Sequence, residues 1–260
     1  MPTCRRFAVL LKTNFMNFLL YALLLLVVSV FGYGYFIWHG ISLSERKSGL
    51  LIASAHPYTQ SPVNASFRIL VAGDSTGVGV GASSEESVAG RLGYMFPDAL
   101  IENVSISGLR VEGLLEILST HISATSTYDT ILLMIGANDT VGFTGKEELR
   151  THLRQIFALA SEHGKQVYVM SSGDVGGVPL FLFPLNSIFT SRTKMVRSVF
   201  MEESKKYSNI TYVDLFVDEV NNAFEKDVPR FYASDSFHPS GEGYGLWFGK
   251  LKEAILLKNQ

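Results

Sequence analysis

The sequence is poor in residues that bind metals or form disulfides. It contains one cysteine, Cys4, so an intramolecular disulfide and a cysteine metal site are both excluded. Its six histidines lack the His-x-x-x-His spacing of a helical zinc site. The sequence therefore offers neither a cysteine metal site nor a helical histidine zinc site.

The chain also lacks a strong charge imbalance. Among its 260 residues, 22 are Lys or Arg and 24 are Asp or Glu, which gives a formal net charge of −2. Nucleic-acid binding domains usually carry a basic patch, and no dense basic patch is present. The composition thus argues against a nucleic-acid partner, and the length suits one sizeable domain plus an appendage.

Charged residues are absent from one long stretch near the N-terminus. No Asp, Glu, Lys or Arg occurs from Thr13 to Ser44, and residues 15–38 are almost wholly apolar. About 20 such residues in a helix span a bilayer core. We predict a transmembrane helix over 15–38, with a cleaved signal peptide and a buried core helix as alternatives. The segment ends in aromatic residues rather than in a small-residue cleavage site, which favours an interfacial belt and an uncleaved anchor.

Basic residues indicate the orientation of this segment. Arg5, Arg6 and Lys12 precede it, whereas Arg46 and Lys47 follow at a greater distance. Basic residues concentrate on the cytoplasmic side, so we expect a cytoplasmic N-terminus and an extracytoplasmic remainder. The predicted organisation is a cytoplasmic tail at 1–14, the signal-anchor helix at 15–38, a juxtamembrane linker at 39–66 and a folded domain at 67–260.

Strand-like and helix-like segments alternate from Phe67 onward. The predicted strands are 67–72, 99–104, 129–135, 166–171 and 210–215, and the predicted helices are 84–96, 110–122, 146–163, 190–207 and 240–257. This alternation predicts an α/β fold with a parallel sheet covered on both faces. Ser83 and Glu86 have the spacing of a capping box for the first helix.

Four short motifs carry the candidate chemistry. They are Gly73-Asp74-Ser75-Thr76, Asn103-Val104-Ser105-Ile106-Ser107-Gly108, Gly136-Ala137-Asn138-Asp139 and Asp235-Ser236-Phe237-His238-Pro239. The first three follow predicted strands, where α/β sheets place their active sites. In this order the motifs resemble the SGNH, or GDSL-type, serine hydrolase family over about residues 67–257. Thr76 stands where many members have Leu, at a position without a chemical role.

The resemblance implies a three-layer, flavodoxin-like α/β/α fold and hydrolysis of esters or thioesters. It also implies a catalytic triad of Ser75, His238 and Asp235, and an oxyanion hole formed by the amides of Ser75 and Gly108 and the side chain of Asn138. Residue chemistry agrees, because a serine hydroxyl needs an adjacent base and an imidazole titrates near neutrality. An acid three residues before the histidine can hold the other ring nitrogen.

Several assignments have alternatives. Asp235 could instead cap the last helix, with Asp214 or Asp218 orienting the histidine. Asp74 and Asp139 are expected to brace their loops rather than react. Gly77-Val78-Gly79-Val80-Gly81-Ala82 could cradle a dinucleotide, but the glycines begin several residues beyond the strand end and leave Asp235 and His238 unexplained.

The sequence therefore predicts a membrane-anchored serine esterase that works through an acyl-serine intermediate on carboxylic or thio esters, of lipid type or acetyl. Such a cycle needs neither a metal nor an organic cofactor. An envelope acyltransferase with the same acyl-enzyme is the alternative, and a non-catalytic binding module is a weaker one. The expected partners are a small-molecule, lipid or glycan ester and the membrane. Asn138 lies in one of four Asn-x-Ser/Thr sequons, where a glycan would block the site, and this favours a bacterial envelope.

Overall fold

The computed structural model describes residues 2–217 and 223–258, with side chains described from residue 15 onward. The chain divides into two compact units, Met1–Leu43 and Ser44–Gln260.

The N-terminal unit is helical. Helix α1 extends over Pro2–Ser54, and its apolar side chains from Phe15 to Trp38 are exposed except for the half-buried Ile37. By length and composition, Phe15–Ser54 qualifies as a candidate membrane span. The helix continues through residues 39–54, the first part of the predicted linker. No proline interrupts that stretch, and the helix ends before Pro57, because the residue that precedes a proline disfavours helical backbone.

The second unit contains a five-stranded parallel sheet. Its strands are β1 Phe67–Gly73, β2 Ala99–Asn103, β3 Tyr128–Met134, β4 Gly164–Met170 and β5 Ile210–Val213. Their spatial order is β2-β1-β3-β4-β5, the flavodoxin-like order. In that order β1 lies between β2 and β3, so the chain leaves β1 and β3 toward opposite sides of the sheet. The crevice at this switch point is where such folds bind ligands.

Helices of different length lie between the strands and after β5. They are α2 Ser75–Val78, α3 Val88–Met95, α4 Val111–His121, α5 Ala137–Val141, α6 Lys146–His163, α7 Leu185–Ser204, α8 Ala223–Lys226, α9 Val228–Phe231 and α10 Gly241–Lys258. The long ones are amphipathic. Helix α6, for example, buries Leu149, Leu153, Ile156, Phe157 and Ala160, which recur at helical spacing on one face.

Two apolar cores flank the sheet. On one face, Leu70 and Leu133 pack with side chains of α4, α6 and α7. On the other face, Val71 and Leu132 pack with α3 and α10. Neighbouring strand residues point to opposite faces, and both sets are fully buried, as expected for a covered parallel sheet. The predicted three-layer α/β/α fold with an N-terminal apolar helix is confirmed.

The start of α3 differs from the prediction. Ser83 and Glu86 do bond to each other, with 2.9 Å between Ser83 Oγ and Glu86 Oε2, but they close the turn that precedes the helix. The helix begins at Val88, because Ser87 caps it by accepting a 3.0 Å hydrogen bond from the Gly90 amide.

Candidate active site

Ser75 lies on the turn that follows β1. Gly73 ends the strand, and a Cβ there would lie 1.9 Å from the Met134 carbonyl oxygen, so only glycine permits this approach to β3. Asp74 then caps α2, because its Oδ1 accepts hydrogen bonds from the amide (2.8 Å) and hydroxyl (2.7 Å) of Thr76. This places Ser75 as the first residue of α2, with its side chain at the carboxyl edge of the sheet.

His238 joins Ser75 to Asp235. The distance from His238 Nε2 to Ser75 Oγ is 2.9 Å, and that from His238 Nδ1 to Asp235 Oδ2 is 2.6 Å. A carboxylate only accepts, so Nδ1 carries the proton and Nε2 is left to accept from the serine hydroxyl. All three side chains are buried. The structure thus brings the three predicted triad residues into one hydrogen-bonded chain.

Asp235 is held as a carboxylate by its neighbours. Its Oδ1 accepts from the amides of Phe237 and His238, each at 3.0 Å. Burial alone would raise the pKa of Asp235, but the hydrogen bond and charge of His238, assisted by Ser48 and the Phe237 amide, lower it to about 2. Ser236, with φ of +60°, makes the sharp turn that points the carboxylate back toward the ring.

The predicted oxyanion residues follow three adjacent strands. Ser75, Gly108 and Asn138 come after β1, β2 and β3. In the described part of the chain, the amides of Ser75 and Gly108 donate no hydrogen bond, which leaves both available to a ligand. Asn138 Nδ2 donates one hydrogen bond to the Leu109 carbonyl at 3.0 Å and retains a second N–H.

Gly108 is required by its backbone conformation rather than by crowding. A Cβ built on it meets no atom within 4 Å. Its φ is +82°, a left-handed conformation that costs other residues about 1–2 kcal/mol. Glycine therefore permits the turn that presents the amide.

The two motif acids brace loops, as expected. Asp139 accepts from the Val111 amide at 3.1 Å and from Thr144 Oγ1 at 2.9 Å, which ties α5 to the start of α4. Burial raises the pKa of Asp74 to about 6, because it outweighs the hydrogen bonds from Thr76. Burial likewise raises the pKa of Asp139.

Asn103 links the loops after β1 and β2, with its Nδ2 donating to the Gly77 carbonyl at 3.0 Å.

The structure describes one of the two alternative acids for orienting His238. Asp214 pairs with Arg197 and accepts from the Phe216 amide, so it is occupied elsewhere and does not orient His238. Asp218 lies outside the described residues.

The glycines of residues 77–82 have structural roles. Gly79 caps α2 with φ of +90°, and a Cβ on Gly81 would lie 2.4 Å from the Pro239 carbonyl oxygen. Packing explains these glycines, and nothing at them resembles a phosphate cradle.

A cavity of about 430 Å³ opens beside Ser75 and His238. Apolar side chains dominate its wall, notably Leu215, Leu246 and Trp247, while Lys250 and Glu253 are among its polar lining residues. Among the described residues, no group of three or more His, Cys, Asp or Glu side chains could hold a metal ion.

Two site residues were missed by the sequence analysis. Ser48 Oγ donates to Asp235 Oδ2 at 2.7 Å, and Ser44 Oγ donates to the Asp235 carbonyl at 2.6 Å. Both serines lie in the last turns of α1, within the same compact unit as the triad. No motif or spacing connects them with a residue about 190 positions later, so only the structure could find them.

Comparisons with known proteins identify the family of the chain. The GDSL-like lipase/acylhydrolase family matches residues 71–246. A search of curated proteins finds no match. Solved structures with the same fold include a member of the lipolytic G-D-S-L family from Veillonella parvula, at 19% identity and a TM-score of 0.54 over 72% of this chain and 96% of that one.

Two further neighbours are esterases. Psychrotrophic EstA from Pseudoalteromonas sp. is 19% identical, with a TM-score of 0.54 over 74% of this chain and 99% of its own. The acetylxylan esterase Axe2 from Geobacillus stearothermophilus is 20% identical, with a TM-score of 0.50 over 75% and 96%. At these low identities the structural similarity shows a shared fold alone. The family match covers most of the chain and confirms the predicted enzyme class. The chain therefore belongs to the GDSL-like lipase/acylhydrolase family of ester hydrolases.

Proposed function

We propose that this protein is a membrane-anchored serine esterase that cleaves esters of apolar acyl groups through an acyl-Ser75 intermediate. The observation that carries the proposal is the unbroken chain from Ser75 Oγ through His238 to Asp235, with distances of 2.9 and 2.6 Å. A serine becomes an effective nucleophile only when a positioned base can take its proton.

In the proposed cycle, Ser75 Oγ attacks the ester carbonyl carbon while His238 Nε2 takes its proton. The carbonyl oxygen becomes an oxyanion that the amides of Ser75 and Gly108 and the side chain of Asn138 stabilise. The tetrahedral intermediate then expels the alcohol, which takes the proton from His238. A water molecule attacks the acyl-enzyme with His238 again as base, and the carboxylic acid leaves as Ser75 regains its proton.

The cavity beside the nucleophile supports an acyl chain larger than acetyl. Its volume of about 430 Å³ lies within the range of small-molecule sites, and its wall is mainly apolar. An acetyl group would leave most of that surface uncovered, whereas each additional buried methylene contributes about 0.8 kcal/mol. We expect kcat/KM to rise with acyl length by up to about fourfold per methylene until the cavity is filled.

A series of p-nitrophenyl esters from acetate to dodecanoate tests the substrate class. The full-length chain should be assayed in detergent, because residues 44–54 belong to the same unit as the triad. Ser75→Ala serves as the control for serine-dependent turnover. Retained activity in Ser75→Ala would refute the nucleophile, and an optimum at acetate would refute the acyl-chain assignment.

Gly249 offers a matched pair of variants for the cavity. It lines the cavity, and a Cβ on it meets no atom within 4 Å. Gly249→Phe should obstruct the cavity and lower turnover of decanoate while sparing acetate. Gly249→Ala should leave both unchanged. Equal losses for both esters in the Phe variant would indicate damage to the site rather than obstruction.

The acyl-enzyme could also pass its acyl group to an alcohol. Adding a sugar or glycerol acceptor to the same assay, and analysing the products by mass spectrometry, distinguishes the two outcomes. Free fatty acid as the main product supports hydrolysis. An acylated acceptor formed in preference to the acid would make the protein a transferase.

We further propose that α1 anchors the protein, with the N-terminus in the cytoplasm and the catalytic domain outside. Exposed apolar side chains over 15–38 and the absence of charge from Thr13 to Ser44 support the anchor. The preceding basic residues support the orientation.

The single cysteine makes this topology testable. In spheroplasts that express the full chain, a membrane-impermeant maleimide should label Cys4 only after permeabilisation. Val63 is 99% exposed, so Val63→Cys in a Cys4→Ser background should label without permeabilisation. The reverse pattern would contradict the orientation, and a mature chain that lacks residues 1–38 by mass would contradict the anchor.

A further inference from the structure

Asp235 receives more support than the triad motif provides. Its Oδ1 is satisfied by two backbone amides of its own loop, so that interaction is local. Its Oδ2, the oxygen that faces the catalytic ring, accepts from both His238 Nδ1 at 2.6 Å and Ser48 Oγ at 2.7 Å. The second donor therefore comes from the N-terminal helix and not from the family motifs.

Ser44 and Ser48 act on one residue from one helix face. They are four positions apart, the spacing that places two side chains over each other on a helix. Ser44 is buried and donates to the Asp235 carbonyl at 2.6 Å, which fixes the backbone, while Ser48 donates to the carboxylate. The family match begins at residue 71, so neither serine belongs to the matched region.

We propose that Ser48 is a positioning residue for catalysis, which sets the orientation and charge of the Asp235 carboxylate and thereby the basicity of His238. The inference rests on the proposed function, because it assigns Ser48 a role through the triad. A hydroxyl donor to a carboxylate is a charge-assisted hydrogen bond, which is stronger and more directional than a neutral one. It holds Oδ2 in line with the His238 Nδ1–H and withdraws part of its negative charge.

Two consequences follow from losing this donor. The carboxylate is freer to rotate, so the ring spends less time aligned with Ser75, and we expect kcat to fall about tenfold with little change in KM. In addition, the full carboxylate charge then faces the imidazolium and holds its proton more tightly. The acid limb of the kcat/KM profile should therefore move to higher pH.

Other titratable groups also face this pair. Asp74 interacts electrostatically with His238 from the cap of α2, and Tyr244 of α10 interacts with both Asp74 and Asp235. The Tyr244 hydroxyl donates to the Val80 carbonyl at 2.9 Å. Neither group contacts Ser48 in the described hydrogen bonds, so its substitution leaves their contributions in place.

The decisive experiment compares two nearly isosteric variants of the full-length protein, Ser48→Thr and Ser48→Val. Threonine retains the hydroxyl and valine replaces it with a methyl group, so helix packing is matched and only the donor differs. Ser48→Ala repeats the comparison in a smaller side chain if valine prevents folding. Ser54→Ala is the control on the same helix, because its exposed hydroxyl bonds only to the Leu51 carbonyl.

Ser48→Thr and Ser54→Ala should match the wild type in ester turnover, and Ser48→Val should show the tenfold loss in kcat with the shifted acid limb. Equal activity and equal pH profiles for the threonine and valine variants would overturn the inference. Lower activity of Ser48→Val without a shift of the acid limb of its kcat/KM pH profile would also overturn the inference. That result would show that Ser48 only helps the helix to pack against the domain. Failure of the proposed function itself is recognised separately, as retained turnover in Ser75→Ala.

Discussion

The two halves of the candidate site are built in different ways. The nucleophile half, with Ser75, Gly108 and Asn138, is placed by the ends of three adjacent parallel strands. The acid–base half, with Asp235 and His238, lies on a loop outside the sheet, and Ser44 and Ser48 tether it from α1. The difference shows that strand ends can fix a nucleophile through local motifs, whereas a loop needs partners from distant parts of the chain.

We expect the largest loss of activity from an isosteric substitution in the acid–base half. Asp235→Asn keeps the shape of the side chain but removes the charge that favours the Nδ1–H tautomer, so we expect kcat to fall about 10⁴-fold. Steady-state kinetics on a p-nitrophenyl ester measures the loss. Asp214→Asn, which removes a charge paired with Arg197, should remain active. Comparable losses in both variants would reopen the assignment of the acid.

The nucleophile half should depend on Asn138 to a smaller extent. Asn138→Ala removes one of three oxyanion donors, and we expect kcat to fall about 10²–10³-fold. KM should change little, because the donor acts mainly on the charge that develops in the transition state. A higher KM with unchanged kcat would instead assign Asn138 to ground-state binding.

The two halves should also respond differently to pH. Asp74 has a folded-state pKa of about 6 against about 4 in an unfolded chain, so the folded state binds its proton more tightly. The stabilisation is complete below pH 4 and is lost as pH rises through 6, a difference of about 3 kcal/mol. Asp235 has the opposite sign, because its pKa is lowered to about 2 in the folded state: its contribution to stability is complete above about pH 4 and is lost as the pH falls toward 2.

Asp74→Asn should therefore remove the part of the stability change that occurs between pH 4 and 6. Urea unfolding of wild type and variant over this range measures the difference. As the pH rises from 4 to 6, the wild type should lose about 3 kcal/mol of unfolding free energy relative to Asp74→Asn. Parallel curves would show that Asp74 remains ionised in the folded protein.

The smallest expected effect concerns the backbone of the nucleophile half. Gly108→Ala adds a Cβ where space is open, but φ of +82° disfavours it by about 1–2 kcal/mol. Thermal unfolding should show a lower Tm. Gly108→Asn should lower it less, because asparagine tolerates left-handed backbone. Equal losses in both variants would indicate that side-chain contacts, rather than φ, limit this position.

Much of the fold could be predicted from sequence because its signals are local. The five strands and five helices predicted for the folded domain all occur near their predicted positions, since apolar periodicity reflects which face is buried. The short helices α2 and α5 were not predicted, because they consist of motif residues with no periodic apolar pattern. The start of α3 was displaced because Ser83 and Ser87 are both good capping residues, and packing chose between them.

The order of the motifs, the candidate triad residues and the long uncharged segment could all be read from the residues alone. Each depends on residue types at short spacing, where the physical meaning is local. The folded structure was needed to show which acid faces His238, why Gly108 is a glycine and that Ser44 and Ser48 reach Asp235. These depend on contacts between residues far apart in the chain, which form only when the sheet and its surrounding helices have packed.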